Sequence, residues 1–211
     1  MLDKIGLRIS NEKISMNKII KALERRLKIK VLKEIGSGLQ GVAYETDDGR
    51  VLKITNSFSE ALNSKHLMNE PSQYTVEFYD VGKLINDKYY ILQEKVETGI
   101  AQQLFEDLME YAEDKFNYDF DSMLGCETKS DIDLSEEHAI FFESIQMTLR
   151  DLASKGIYSF DLTEGNVGRT TDGRYVVFDI ETEDYEPTLE DIAYMNRNQN
   201  TDKGCSHSPG F

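Results

Sequence analysis

The feature that most constrains this chain is a set of three glycines, Gly36-Ser37-Gly38-Leu39-Gln40-Gly41, lying between two β-forming segments. The spacing G-x-G-x-x-G serves two kinds of phosphate site and also ordinary hairpins, so its context decides. A dinucleotide site needs a helix straight after the glycines. Here Val42-Ala43-Tyr44-Glu45 reads as a strand, and Asp47-Asp48-Gly49 as the hairpin turn that follows it. A glycine loop between two strands lets backbone N–H groups close over phosphates with no side chains in the way.

Three further signals follow in order. Lys53, in Val51-Leu52-Lys53-Ile54, lies in the next strand, twelve residues beyond Gly41. Alone it is an edge lysine pointing to solvent; after the glycine loop it reads as a phosphate anchor, because an inward ammonium without a partner is expensive to bury. Its carboxylate partner belongs on the helix after it, where Glu60 and Glu70 are the candidates. Glu60 is preferred because Glu70 adjoins the helix-stopping Pro71. Next, Asp161-Leu162-Thr163-Glu164-Gly165-Asn166 places an Asp and an Asn five residues apart between a long helix and a hairpin. Alone this is an Asx turn; in context Asp161 would orient an attacking hydroxyl and Asn166 would bind a cation. Finally Asp179 ends the apolar run Val176-Val177-Phe178, where a carboxylate can hold a hard cation bridging phosphate oxygens.

The segments between these signals are legible as elements. Asn17 to Leu27 spaces Ile19, Ile20, Leu23 and Leu27 as an amphipathic helix. Strands are expected at Ile29–Ile35, Val42–Glu45, Arg50–Thr55, Thr75–Val81 with Lys83–Ile85, and Tyr89–Lys95, with a helix from Ser59 to Asn69. Beyond Glu97 the pattern turns helical: Ala101–Phe116, an acidic loop or broken helix over 117–134, a long helix capped by Ser135 and ended by Gly156, and a last helix at Leu189–Asn196. Residues 198–211 are expected to be disordered.

Charge narrows the partners. Residues 1–33 hold ten Lys/Arg against three Asp/Glu, and the remaining 178 hold 14 against 36. So acidic a body argues against tracking a nucleic-acid backbone. The basic head is open to nucleic acid, but lying against the chain's own acidic part is the favoured reading. No apolar run reaches membrane-span length and no apolar leader opens the sequence, while Cys126 and Cys205 stand far apart. A reduced, cytoplasmic protein is expected.

Taken together, Gly36 to Tyr44, Val51 to Ile54, Asp161 to Asn166 and Phe178 to Glu181 resemble the glycine-rich loop, V-A-I-K strand, H-R-D-L-x-x-x-N loop and D-F-G segment of the protein kinase-like superfamily. The resemblance covers residues 30–195. It implies an α+β, bilobal protein kinase-like fold: a basic helical extension (1–28), an N-lobe with a five-stranded antiparallel sheet and one helix (29–97), and a shortened, mainly helical C-lobe (98–197). It further implies ATP and Mg²⁺ as cofactors. Asp161 and Lys53 would be catalytic and Asn166 and Asp179 metal ligands, with Gly36, Ser37, Gly38, Gly41, Lys53 and Glu60 at the phosphates. Gln93 would stand as gatekeeper, and the backbone of Glu94 to Val96 would meet adenine.

The departures from that pattern define the kind of kinase. Ser159-Phe160 stand in place of His-Arg and Ile180-Glu181 in place of Phe-Gly, and no A-P-E follows. Glu164-Gly165-Asn166, Asp179-Ile180-Glu181 and Asp191-Ile192-Ala193 are similar to aminoglycoside and choline kinase-type phosphotransferases. The expectation is a minimal, atypical kinase transferring a γ-phosphate to a hydroxyl of a protein or of itself. The alternatives are a small-molecule kinase and a pseudokinase that binds nucleotide or a partner.

Overall fold

The computed structural model of the chain describes residues 15–116, 135–158, 160–182 and 185–197. Helix α1 (Met16–Leu27) precedes strands β1 (Val31–Ser37), β2 (Gly41–Thr46) and β3 (Val51–Thr55), helix α2 (Phe58–Asn69), and strands β4 (Phe78–Lys83) and β5 (Tyr89–Gln93). The five strands form one antiparallel sheet in the order β1-β2-β3-β5-β4, with α2 in the connection from β3 to β4. Helices α3 (Gly99–Phe116) and α4 (Glu136–Ser154) come next, then a 3₁₀ turn (Glu164–Asn166), the hairpin β6 (Val167–Arg169) and β7 (Tyr175–Val177), and helix α5 (Leu189–Asn196). This is an α+β arrangement in two parts: a five-stranded antiparallel sheet with one helix, followed by a short, mainly helical half.

Strand alternation sorts β3 and β5 into two faces. Leu52, Ile54, Tyr90 and Leu92 point one way and pack under Ile19 and Leu23 of α1. Val51, Lys53, Ile91 and Gln93 therefore point the other way, toward α2 and the helical half. Burying Ile19 and Leu23 contributes about 1.5–3 kcal/mol each. The same packing shows how the described part of the basic head, from residue 15 on, meets the rest of the chain. The apolar stripe of α1 lies on the sheet, so Lys18, Lys21 and Arg25 face solvent, and Arg26 stacks over the Tyr90 ring 5.1 Å from its centroid.

Two boundaries differ from the expected ones for local reasons. The two segments at 75–81 and 83–85 are one strand, Phe78–Lys83, because Asn86 and Asp87 both take left-handed backbone and turn the chain into β5 (φ 57° and 50°). The strand expected over Arg174–Ile180 is β7, which stops at Val177, two residues before Asp179, itself left-handed (φ 57°). Helix α4 follows the sequence closely: Ser135 accepts a hydrogen bond from the His138 N–H, and left-handed Gly156 (φ 80°) follows its end. The residues 117–134 and 198–211, for which an acidic loop and a disordered tail were expected, lie outside the described residues, as do Cys126 and Cys205.

The hairpin β6–β7 holds the two halves together from both sides. Glu97 and Arg169 exchange backbone hydrogen bonds of 2.9 and 2.7 Å, while Val177 donates to the Tyr74 carbonyl and accepts from the Val76 N–H. A single apolar core runs from α2 and β4 through α3 and α4 to Val176, Val177 and Ile180.

Candidate active site

Between the sheet and the helical half lies a cleft of about 620 Å³. It is lined by Gly36, Ser37, Gly38, Gly41, Lys53, Glu94 and Val96 from the sheet side and by Asp161, Asn166 and Asp179 from below. With Gln93, which also lines it, eleven of the twelve residues given a role by the sequence thus meet in one place. The twelfth, Glu60, stands directly behind Lys53.

The centre of the cleft is a lysine shared by two carboxylates. Lys53 Nζ lies 2.6 Å from Glu60 Oε1 and 2.6 Å from Asp179 Oδ2. Glu60 reaches it from the first turn of α2, whose N-cap Ser57 accepts from the Glu60 N–H. Glu70 is instead the exposed C-cap of the same helix. Burial works to lower the pKa of Lys53, but Glu60 and then Asp179 outweigh it and hold the ammonium above its ordinary range. Glu60, 1% exposed, is pushed up to about 7 by burial, against the pull of Lys53 and with the push of Asp179. One cation serves two anions here, and the more buried anion bears the cost.

Asp161, Asn166 and Asp179 belong to one stitched loop system. Asn166 donates its side-chain amide to the Asp161 carbonyl at 2.7 Å. That engages the nitrogen end and leaves the amide oxygen as the group available to a cation. Phe178 donates its N–H to the Asn166 carbonyl, Asp161 to the Glu181 carbonyl, and Glu181 to the Asp179 carbonyl. These bonds fold the chain sharply about Asp179, and its left-handed φ is the result. Asp tolerates that conformation better than most residues, and such backbone gathers at functional sites.

The roof and the inner edge have their own logic. A Cβ at Gly41 would lie 2.3 Å from the Ile54 carbonyl oxygen, so this glycine lets β2 approach β3. At Gly36 and Gly38 a Cβ would meet nothing within 4 Å. Nothing in the fold excludes a side chain at either position, and the space concerned opens onto the cleft. Gly38 donates its own N–H to the Gly41 carbonyl at 2.9 Å, which leaves the N–H groups of Leu39 and Gln40 at the loop tip without a partner among the described residues. At the inner edge Glu94 differs from expectation: its N–H goes to the Glu77 carbonyl at 2.8 Å, and its carboxylate takes the Glu77 N–H. The carbonyl of Glu94 and the backbone N–H and carbonyl groups of Lys95 and Val96 have no hydrogen-bond partner among the described residues, leaving both donors and acceptors at the end of β5.

These features fit Mg-ATP. Val51, Ala43 and Phe178 give the inner end apolar walls for a base, and Lys53 with the glycine roof suits phosphates. Among the described residues there is no group of three or more His, Cys, Asp or Glu able to hold a metal by itself. Mg²⁺ typically takes one or two protein ligands and completes its shell with phosphates and water, a demand that Asn166 and Asp179 can meet. The sequence reading missed Ala43, Val51 and Phe178 as walls, and Ser59 and Asn63 as ties. Asn63 donates to the Ile180 carbonyl and Ser59 to the Thr182 carbonyl, each at 3.0 Å. The walls could have been found from alternation around Lys53. The ties carry no local signal.

No protein-family model and no curated protein matches the chain. Among solved structures it is similar to aminoglycoside phosphotransferase APH(4)-Ia, with a TM-score of 0.34 and 15% identity over 46% of this chain and 38% of that one. A thermostable mutant of the same protein, in ternary complex with ADP and hygromycin B, gives 0.33 and 14% over 44% and 38%. The chain therefore spans less than two fifths of those proteins' length. A likeness this partial decides nothing about its chemistry, which rests on the cleft.

Proposed function

We propose that the chain is a Mg-ATP-dependent phosphotransferase that passes the γ-phosphate to a hydroxyl. The observation that carries this reading is the convergence of Lys53, Glu60 and Asp179 within 2.6 Å contacts, beside Asp161 and Asn166, in one cleft with a glycine roof. Bound Mg-ATP would bring the phosphoryl group and the metal's charge. Lys53 would anchor phosphate oxygens, held in place by Glu60. Asn166 and Asp179 would hold the cation, and the loop bonds between them set their spacing. Asp161, exposed at the rim, would orient the acceptor hydroxyl and take its proton late.

For the acceptor we infer a protein hydroxyl, of another chain or of this one, because Asp161 sits at the exposed rim of the cleft. A small cationic alcohol is the second reading, favoured by Glu181, which adds a carboxylate to the same lining. Transfer of labelled γ-phosphate should be followed with cell lysate, with the chain alone and with a panel of amino alcohols. Wild type is expected to label one of these acceptor classes, and Asp161→Asn to lose at least a hundredfold in rate. Equal labelling by both proteins would remove Asp161 from the chemistry. A chain that Mg-ATP fails to stabilise against heat would be a binding module instead.

A further inference from the structure

Lys65 lies on α2, one turn before the end of the helix, and is only 3% exposed. A lysine on a helix ordinarily extends its ammonium into water. Here Nζ points into the fold and donates to three backbone carbonyls: Tyr194 at 2.6 Å, Arg197 at 3.2 Å and Met195 at 3.3 Å. These carbonyls close the C-terminal end of α5, where a cation opposes the helix dipole and satisfies orphan acceptors. The ammonium also lies 4.9 Å from the centroid of the Tyr194 ring. No carboxylate lies within ion-pair distance of it among the described residues; Asp80 acts on it at longer range, and the three carbonyls make its direct contacts.

The surrounding contacts give that capped end a direction. The chain after Asp179 runs the length of α2. Ile180 and Thr182 are tied to Asn63 and Ser59. Tyr185 then stacks on Phe58 at 6.2 Å, at the start of the helix. Tyr194 stacks on His66 at 4.6 Å and accepts from Asn69 at 2.5 Å, near its end. A helix of eight residues does not persist alone in water, so α5 depends on its Thr188–Asp191 capping box, on Met195 in the core, and on the Lys65 cap. The dependence is mutual: α2 also has the strap along one whole side.

We propose that Lys65 is a positioning residue of the nucleotide site: by tying α2 to the strap that follows Asp179, it holds Glu60 on Lys53. The tie is formed by one ammonium and three carbonyls. The inference rests on the phosphotransferase reading for its consequence, but the mechanical claim stands on the contacts alone.

The test uses the full chain with Lys65→Met, which keeps the stem and removes the charge. Two quantities are read: Mg-ATP affinity by calorimetry, and amide hydrogen exchange in α2 compared with α3 and α4. Faster exchange selective for α2, with affinity weakened roughly tenfold, is the expected result. Affinity within twofold of wild type would overturn the proposal, and so would exchange that rises equally in α2, α3 and α4. If Lys65→Met does not fold, Tyr194→Leu, at a half-buried position on the strap, takes its place with the same two measurements: the same results support the tie or overturn it. Should wild type bind no Mg-ATP, the phosphotransferase reading falls. The exchange comparison then still decides the tie: selective loosening of α2 supports it, and uniform loosening or none overturns it.

Discussion

A Cβ at residue 41 would lie 2.3 Å from the Ile54 oxygen and 2.9 Å from the Thr55 Cα, both backbone atoms that cannot swing aside. Gly41→Ala should therefore destabilise the fold by about 2 kcal/mol, the ordinary cost of forcing an extra methyl into packed backbone. Gly36→Ala and Gly38→Ala should leave stability within about 0.5 kcal/mol while weakening Mg-ATP. Chemical denaturation paired with nucleotide titration separates the two classes, and a loss of stability at residue 36 or 38 would contradict the assignment. Glu60 makes a second, pH-dependent case. Its carboxyl is raised from 4.5 to about 7 in the fold, so the unfolded chain releases that proton first. Its contribution to stability is complete below the unfolded value and is lost as pH rises through about 7. Glu60→Gln, which cannot ionise, should remove that decline between pH 5 and 7.5 in melting curves; an unchanged profile would assign the decline elsewhere. At this scale the sequence was informative where a residue type has few alternative uses in its context, as with Asp161 and Asn166. It was silent about Lys65, since nothing in a helical lysine's neighbours in sequence says that its ammonium faces inward.

Among the elements, α1 is held chiefly by its apolar stripe, helped by Arg26 over the Tyr90 ring and by Glu24, whose carboxylate accepts from the Val31 N–H. Leu23 is 2% exposed, between α1 and the outer face of β3 and β5. Leu23→Ala should cost about 2–5 kcal/mol, whereas Lys21→Glu on the outward face should change stability by less than about 0.5 kcal/mol. Urea denaturation of both variants checks the pair, and a comparable loss in each would mean that the basic face is packed after all. The periodicity of α1 was plain in the sequence because the helix has a wet side. α2 is different: Ser59 through Lys65 are all buried, so polar and apolar residues alike face protein and no stripe identifies the cleft side. Its extent, read as Ser59 to Asn69 with Pro71 as the stop, was legible to within one residue, but its role as the carrier of Glu60, Ser59, Asn63 and Lys65 was not. β6 and β7 were legible through Asp172-Gly173, where left-handed Gly173 makes the turn. Their docking onto Glu97 and Tyr74 depends on residues about seventy and a hundred positions away, and no local pattern encodes that.

For the molecule as a whole, the sheet separates two electrical surroundings. α1 carries its cations on the outer face, while the cleft opens on the other side, in a body where 36 acidic residues outnumber 14 basic ones. A nucleotide anion diffusing toward Lys53 must therefore cross a field of its own sign. The positive face that would attract it lies where nothing can be reacted. Dissolved salt shortens the reach of such repulsion, from about 30 Å at 0.01 M to about 10 Å at 0.1 M. Association with Mg-ATP should consequently quicken as salt is added over that range, the reverse of the usual behaviour of a steered enzyme. Stopped-flow mixing with a fluorescent nucleotide would measure it, and a rate that falls with salt would place the cations nearer the cleft than α1 does. A chain built this way gains nothing by capturing nucleotide at long range.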